Sequence, residues 1–157
     1  MPLPSVISLG AAYKANSKLT LAVELNYVGW NTYDTLSFDY ANNTTLLQDT
    51  KSARNYKNTL SYRAGAQYSV NPKFDVRIGL KYLMTPVPDG YVTPETPDAS
   101  HLNYSAGFGY KICKHLVTDV SFTYESMNRT DTNKENNMSG TYKTNLFIPG
   151  ISIAYNF

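Results

Sequence analysis

The sequence predicts an all-β fold: an antiparallel transmembrane β-barrel, of which seven strands are present in this chain. Three observations carry the prediction. Apolar and polar side chains alternate with period two through seven segments, so each segment presents one greasy face and one polar face. The connections between the segments alternate strictly between short and long. The composition, with 14 Tyr, 6 Phe and only 17% charged residues, favours a pleated, half-buried surface. Mean hydropathy is −0.36, and no run approaches the roughly 18 apolar residues of a membrane helix. This excludes a helical membrane protein but not a barrel, whose strands carry a weaker signal per segment. A length of 157 residues fits one domain, read as a single partial barrel over residues 1–157.

The first strand spans roughly Ser5–Ala15, with Ile7, Leu9, Ala11 and Tyr13 opposing Ser8, Gly10, Ala12 and Lys14. Asn16-Ser17-Lys18 makes a turn. The second, Leu19–Trp30, sets Leu19, Leu21, Val23, Leu25 and Tyr27 against Thr20, Ala22, Glu24 and Asn26. A long polar stretch near 31–56 follows, in which Thr35–Tyr40 reads as an extension of the strand beyond the membrane. The third strand, about Asn58–Val70, sets Leu60, Tyr62, Ala64, Ala66 and Tyr68 against Thr59, Ser61, Arg63, Gly65 and Gln67. After the turn at Asn71-Pro72-Lys73, the fourth sets Phe74, Val76, Ile78, Leu80 and Tyr82 against Asp75, Arg77, Gly79 and Lys81.

Pro86, Pro88, Pro94 and Pro97 make 85–100 a loop, because proline cannot donate to a ladder. The fifth strand sets Leu102, Tyr104, Ala106, Phe108 and Tyr110 against Asn103, Ser105, Gly107, Gly109 and Lys111. A turn at Cys113-Lys114-His115 leads to the sixth, where Val120, Phe122 and Tyr124 oppose Asp119, Ser121, Thr123 and Glu125. The Asn-rich stretch 127–140 reads as a third long loop. In the last strand Phe147, Pro149, Ile151, Ile153, Tyr155 and Phe157 share one face against Gly150, Ser152, Ala154 and Asn156, and the chain stops on an aromatic. Within it, Pro149-Gly150 is an oddity, since it removes a ladder donor and loosens packing.

The charged residues of the strand cores all share the face that carries Gly, Ser and Thr. Glu24, Arg63, Asp75, Arg77, Lys81, Lys111, Asp119 and Glu125 are therefore candidate luminal charges. Charge away from bulk water is costly unless paired or wet. The four cations should accordingly meet the four carboxylates across neighbouring strands or face a water-filled lumen; some of them could also steer a substrate carboxylate. Short turns then mark the periplasmic side and long loops the extracellular side. Tyr13, Tyr68, Phe74, Tyr110 and Tyr155 cluster near the short turns, where an aromatic girdle sits. A soluble lipid-binding β-barrel or sandwich shares the alternation, with its apolar face turned inward. Strand-end aromatics, small residues on the polar face and asymmetric loops favour the membrane.

Seven is an odd count, whereas a bacterial single-chain barrel has an even number of strands and no open edges. The opening MPLPSVISLG also lacks a basic region followed by an apolar core. These features predict the carboxy-terminal part of a longer protein, with Met1 internal or artificial.

Several stretches resemble the long-chain fatty acid transporter family of bacterial outer-membrane proteins (FadL/TodX type). They are Leu3-Pro4 before Gly10, Tyr27 followed by Trp30, Arg77-Ile78-Gly79 followed by Thr85-Pro86-Val87-Pro88, and Pro97-Asp98 followed by Ser105-Ala106-Gly107. Gly140 and Tyr142 before the last strand and the terminal Phe157 add to the set, so the resemblance covers essentially the whole chain. It implies a barrel of about fourteen strands in the outer membrane, with these seven as its second half. The implied activity is passive uptake of long-chain fatty acids or other hydrophobic compounds. Its partners would be outer-membrane lipid, hydrophobic small molecules and the amino-terminal half of the barrel. The family's hatch and kinked, laterally opening strand belong to that other half.

The residues hold no catalytic constellation. His101 and His115 are isolated, and no Ser has a nucleophile's surroundings. Asp131-Thr132-Asn133-Lys134-Glu135 lacks the glycine and spacing of a calcium loop, and Cys113 reads as a turn cysteine. No enzyme activity, cofactor or metal is therefore expected, and a net charge of +2 points to no nucleic-acid partner. Contacts to a hydrophobic ligand are expected from apolar loop residues: Leu36, Phe38, Leu46, Leu47, Tyr91, Val92 and Met138. A barrel wall with an adhesion or receptor role is the alternative, because fold does not fix function.

Overall fold

The computed structural model describes residues 3–155. The strands are β1 Val6–Lys14, β2 Leu19–Val28, β3 Thr35–Phe38, β4 Thr50–Ala53, β5 Thr59–Asn71, β6 Phe74–Leu83, β7 His101–Lys111, β8 Leu116–Thr132 and β9 Ser139–Tyr155. Seven of them form one antiparallel meander in the order β1-β2-β5-β6-β7-β8-β9, and β3 and β4 form a separate hairpin. Each predicted barrel strand is present, in the predicted facing.

The short turns are built from local hydrogen bonds. Asn16 Oδ1 accepts the amides of Lys18 (2.8 Å) and Leu19 (2.9 Å), and Asn71 Oδ1 accepts that of Lys73 (2.9 Å). A register shift between Ser69 and Asn71 absorbs the tight return into β6. Aromatic residues line the outer face near these turns, where Phe74 pairs with Tyr110 in register. A second aromatic row lies toward the long loops: the Tyr62 and Tyr82 rings stack at 6.5 Å, and those of Tyr124 and Phe147 lie 5.0 Å apart. Tyr62 to Tyr68, and Tyr104 to Tyr110, are steps of about 20 Å along the strand. The aliphatic residues between the rows occupy the middle of an apolar band. Phe157 and Asn156, part of the predicted closing pattern, lie outside the described residues.

The apolar face is bare. Leu9 is 74% exposed, Ile78 67% and Ile151 77%, whereas the buried hydrophobic residues among those described, Val87, Val92 and Ala99, all sit in one loop. The loops fold over the polar face, beside Glu24, Asn26, Ser61, Arg63 and Lys81. A continuous apolar stripe left open while loops cover the long-loop end of the polar face is the arrangement of a wall whose outside meets lipid.

Two of the long connections differ from the sequence expectation. Thr35–Tyr40 does not extend β2. The chain leaves the wall at Val28, makes a 3-10 turn at Trp30–Thr32, and pairs Thr35–Phe38 with Thr50–Ala53. The Tyr56 ring meets Tyr33 at 5.0 Å and Trp30 at 6.0 Å, edge to face, which holds the hairpin's base against the wall. The stretch read as a loop at 127–140 is mostly strand. Pairing of β8 with β9 continues from Met127↔Thr144 to Thr132↔Ser139, leaving only residues 133–138 as a turn. Side-chain hydroxyl pairs Thr130–Thr141 and Thr132–Ser139, each 2.8 Å, tie the outer face of this extension.

Candidate functional site

Register places the charges of the polar face in rows across the sheet. Glu24 of β2, Arg63 of β5, Lys81 of β6, Asn103 of β7 and Glu125 of β8 stand successively opposite one another. The flanks of this row are paired. Arg63 Nη1 lies 3.0 Å from Glu24 Oε1, which also accepts from Asn26 Nδ2 at 2.6 Å. At the other end, Glu125 Oε2 accepts from Asn103 Nδ2 (2.7 Å) and Glu125 Oε1 lies 3.0 Å from His101 Nε2. Lys81, in the middle, has neither a hydrogen bond nor an ion pair among the described residues. Its neighbours in the row are a cation already paired and an amide already donating, so its ammonium has no direct partner, although the Glu125 and Glu24 carboxylates lie near enough to act on it electrostatically.

Toward the short turns, the adjoining row is Ala22, Gly65, Gly79, Ser105 and Thr123. These small residues leave a groove of about 360 Å³ bounded above by Glu24, Arg63 and Lys81. Below it, Arg77 Nε donates to Gln67 Oε1 at 2.8 Å and Arg77 Nη1 pairs with Asp119. That pair spans β7 rather than joining neighbouring strands. The missing side chain of Gly109 makes the room, since a Cβ there would stand 2.6 Å from Asp119 Oδ1 and 3.1 Å from Arg77 Nη2. Asp75 accepts from the Ser69 hydroxyl at 2.5 Å instead of pairing with a cation, and Lys111 is exposed at the end of β7.

On the long-loop side of the charged row lies a cavity of about 590 Å³. Its floor is the polar face, with Glu24, Asn26, Arg63, Lys81 and His101; its roof includes Trp30, Tyr56, Met84, Pro86, Val87 and Pro97. Burial raises the pKa of the Tyr56 phenol, and a hydrogen bond with Thr96 partly offsets that effect. Lys81 and Arg63 border both the cavity and the groove below. The charged row is thus a ledge between two spaces on the polar face.

None of the seven predicted ligand-contact residues lines this cavity. Val92 is 1% exposed, its carbonyl bonded by Asn133 Nδ2 at 3.0 Å, and belongs to the core of the Pro-rich loop. Tyr91 lies under the Lys134 ammonium, 5.2 Å from the ring centroid. Leu36 and Phe38 are on the β3–β4 hairpin, Leu46 at its tip is 93% exposed, and Leu47 and Met138 are also exposed. The roof residues escaped a search for apolar loop residues because prolines and strand-end aromatics mark turns. The resemblance does single out four of the six, Trp30, Pro86, Val87 and Pro97, which carried it together with Asp98 at the cavity's edge.

The hairpin is tied to the turn after β8. Glu135 accepts from the Ser52 hydroxyl and the Ala53 amide, each at 2.8 Å, and these bonds lower its pKa below the ordinary 4.5. A lowered carboxylate pKa stabilises the tie above 4.5, and that stability is lost as pH falls through the folded-state value. Protection of the Ala53 amide, taken relative to its intrinsic exchange rate at the same pH, should therefore be lost as pH falls below 4.5 and Glu135 protonates, and E135Q should show the lower protection already at neutral pH. Identical Ala53 exchange rates in wild type and E135Q at pH 7 would refute the tie.

Comparison with known proteins agrees with this architecture. Residues 1–157 match the family described as outer membrane protein transport protein (OMPP1/FadL/TodX). A relative from Neisseria meningitidis serogroup B, whose name places it in the outer membrane (NMB0088), is 24% identical over 170 residues, covering 98% of this chain and 36% of the relative. The crystal structure of a Pseudomonas aeruginosa FadL homologue superposes with a TM-score of 0.82 at 22% identity, over 97% of this chain and 35% of that one. The Ralstonia pickettii toluene transporter TbuX gives 0.62 at 17% identity, over 98% of this chain and 34% of that one. The chain thus spans about a third of the length of the proteins it matches. On its whole-length match, its meander of membrane-facing strands and its loop-covered polar face, the chain belongs to the OMPP1/FadL/TodX family of outer membrane transport proteins.

Proposed function

We propose that this chain forms part of an outer-membrane channel for passive uptake of long-chain fatty acids, with an amino-terminal barrel segment supplying the rest of the wall. The observation that supports this reading is an apolar-roofed cavity of about 590 Å³ whose floor carries the uncommitted Lys81 ammonium. An amphiphile with one carboxylate fits that pairing of surfaces: the tail meets Trp30, Met84 and the proline-rich roof, and the head meets Lys81. Ligand pockets combine a mostly apolar lining with a few placed polar groups in this way. A similar structure is that of a toluene transporter, which brings neutral hydrocarbons into consideration. An unpaired ammonium gains a charge-assisted hydrogen bond from a carboxylate but only a weaker cation–π contact from toluene, so the Lys81 position favours the carboxylate class.

The test is uptake of a labelled long-chain fatty acid and of toluene by cells carrying the full-length protein. K81M should weaken fatty-acid binding about tenfold, on the scale of one charge-assisted hydrogen bond, and change toluene uptake much less. Fatty-acid uptake no greater than in channel-less cells would overturn the proposal. A second reading, a receptor or adhesion surface, draws on the exposed apolar tip of the β3–β4 hairpin at Leu46 and Leu47. Deleting residues 42–48 separates the two, since uptake should survive it and surface binding should not.

A further inference from the structure

We propose that Arg129 is a positioning residue that holds the roof of the luminal cavity in its ligand-binding shape, an inference that rests on reading that cavity as the ligand site. Arg129 does not line the cavity. It lies on β8 where that strand rises beyond the membrane, opposite Tyr142 in register, and its side chain is 12% exposed. Its guanidinium is spent on the Pro-rich loop. Nη1 donates to the backbone carbonyls of Val87 at 2.8 Å and Asp98 at 3.0 Å, and Nη2 donates to Asp89 Oδ1 at 3.0 Å. Val87 and Asp98 both border the cavity, and they stand on the two arms of the loop. One side chain therefore clamps both arms.

The loop needs an external donor of this kind. Four prolines between 86 and 97 deny it amide donors, so its carbonyls cannot be satisfied by a ladder of its own. Asp131, two residues further along the same face of β8, supplies the complementary half. Its carboxylate accepts the amides of Gly90 at 2.9 Å and Val92 at 3.3 Å. The buried hydrophobic residues Val87, Val92 and Ala99 lie in this same loop, so the clamp also encloses the packed part of the extracellular cap. A planar guanidinium reaches two carbonyls and a carboxylate at once; an ammonium offers the charge without the fork. A roof held in place before the ligand arrives spares the ligand the cost of ordering it.

The experiment uses the full-length protein in detergent with a fluorescent long-chain fatty acid analogue as probe. Three quantities are read for wild type, R129K and R129Q: probe affinity, protease cleavage within residues 85–100, and thermal loss of the β-sheet signal. Both variants should lose about tenfold in probe affinity and become cleavable in the loop, with the β-sheet transition unchanged. R129K, which keeps the charge and assembles most readily, decides the matter should R129Q fail to assemble. Wild-type probe affinity in a variant whose loop is cleavable would overturn the positioning role, as would a loop protected as in wild type. Absence of probe binding by the wild type would sink the ligand-site reading instead, and with it this role for Arg129, while the cleavage result separately reports whether the clamp exists.

Discussion

Arginine in place of Ile78 should destabilise the folded protein by about 2–4 kcal/mol, the range for a cation on the lipid face near the bilayer midplane. Ile78 is 67% exposed and stands on the outer face between Ala66 and Ala106 in register, midway between the two aromatic rows. The isoleucine is exposed to hydrocarbon, where a guanidinium finds neither water nor a partner. Its sequence neighbour Arg77 points the other way and pairs with Asp119, both side chains retaining over a third of their exposure. Replacing Arg77 with glutamine removes a partly solvated pair, so it should cost about 1 kcal/mol or less. The comparison is made by denaturant unfolding of the full-length protein from lipid bilayers. Equal costs at the two positions would contradict the facing of β6.

Alanine in place of Gly107 should cost about 1–3 kcal/mol, as overpacking does where the obstruction cannot move. A Cβ on Gly107 would stand 2.7 Å from the Val120 backbone carbonyl oxygen of the neighbouring strand. Backbone in a paired ladder yields only by separating β7 from β8. Gly65 is the control. It too lies on the luminal face of a strand, but its added Cβ would sit 3.4 Å from the Ile78 carbonyl, within ordinary contact. Gly65→Ala should be neutral or slightly stabilising, because glycine inside a strand is itself unfavourable. Thermal unfolding of the two variants side by side gives the difference. A Gly107→Ala variant as stable as Gly65→Ala would show that β7 and β8 pack less closely than the register indicates.

The wall was legible in the sequence because one face of each strand is apolar and the other is not, so a slip of one residue would misplace an entire row. That patterning puts Glu24 and Arg63 on one face; the strand register then sets them opposite each other. The Arg77–Asp119 pair follows from neither, since it depends on Gly109 being small enough to let a side chain cross a strand. Beyond the membrane both faces of β8 and β9 are polar, the period-two signal vanishes, and Asn128 to Thr132 reads as loop though it is paired throughout. Arg129 falls within that stretch. The apolar loop residues expected as ligand contacts lie outside the cavity over the polar face, because composition does not separate loop core, as at Val92, from open solvent, as at Leu46. The cavity's roof is drawn instead from turn-forming prolines and Trp30, whose role appears only when 30, 56, 86 and 97 come together in space.

The account stands most directly on which face of the sheet meets lipid and which meets the lumen. Cysteine scanning along β6, Phe74–Leu83, in the full-length protein reads this position by position, after the exposed Cys113 is replaced with serine. A membrane-impermeant thiol reagent should label positions 75, 77, 79 and 81, and a lipid-soluble quencher should reach probes at 76, 78, 80 and 82, with strict alternation. Inverted alternation, or labelling without period two, would contradict a wall whose apolar face is outside and whose Lys81 ledge lies in the lumen.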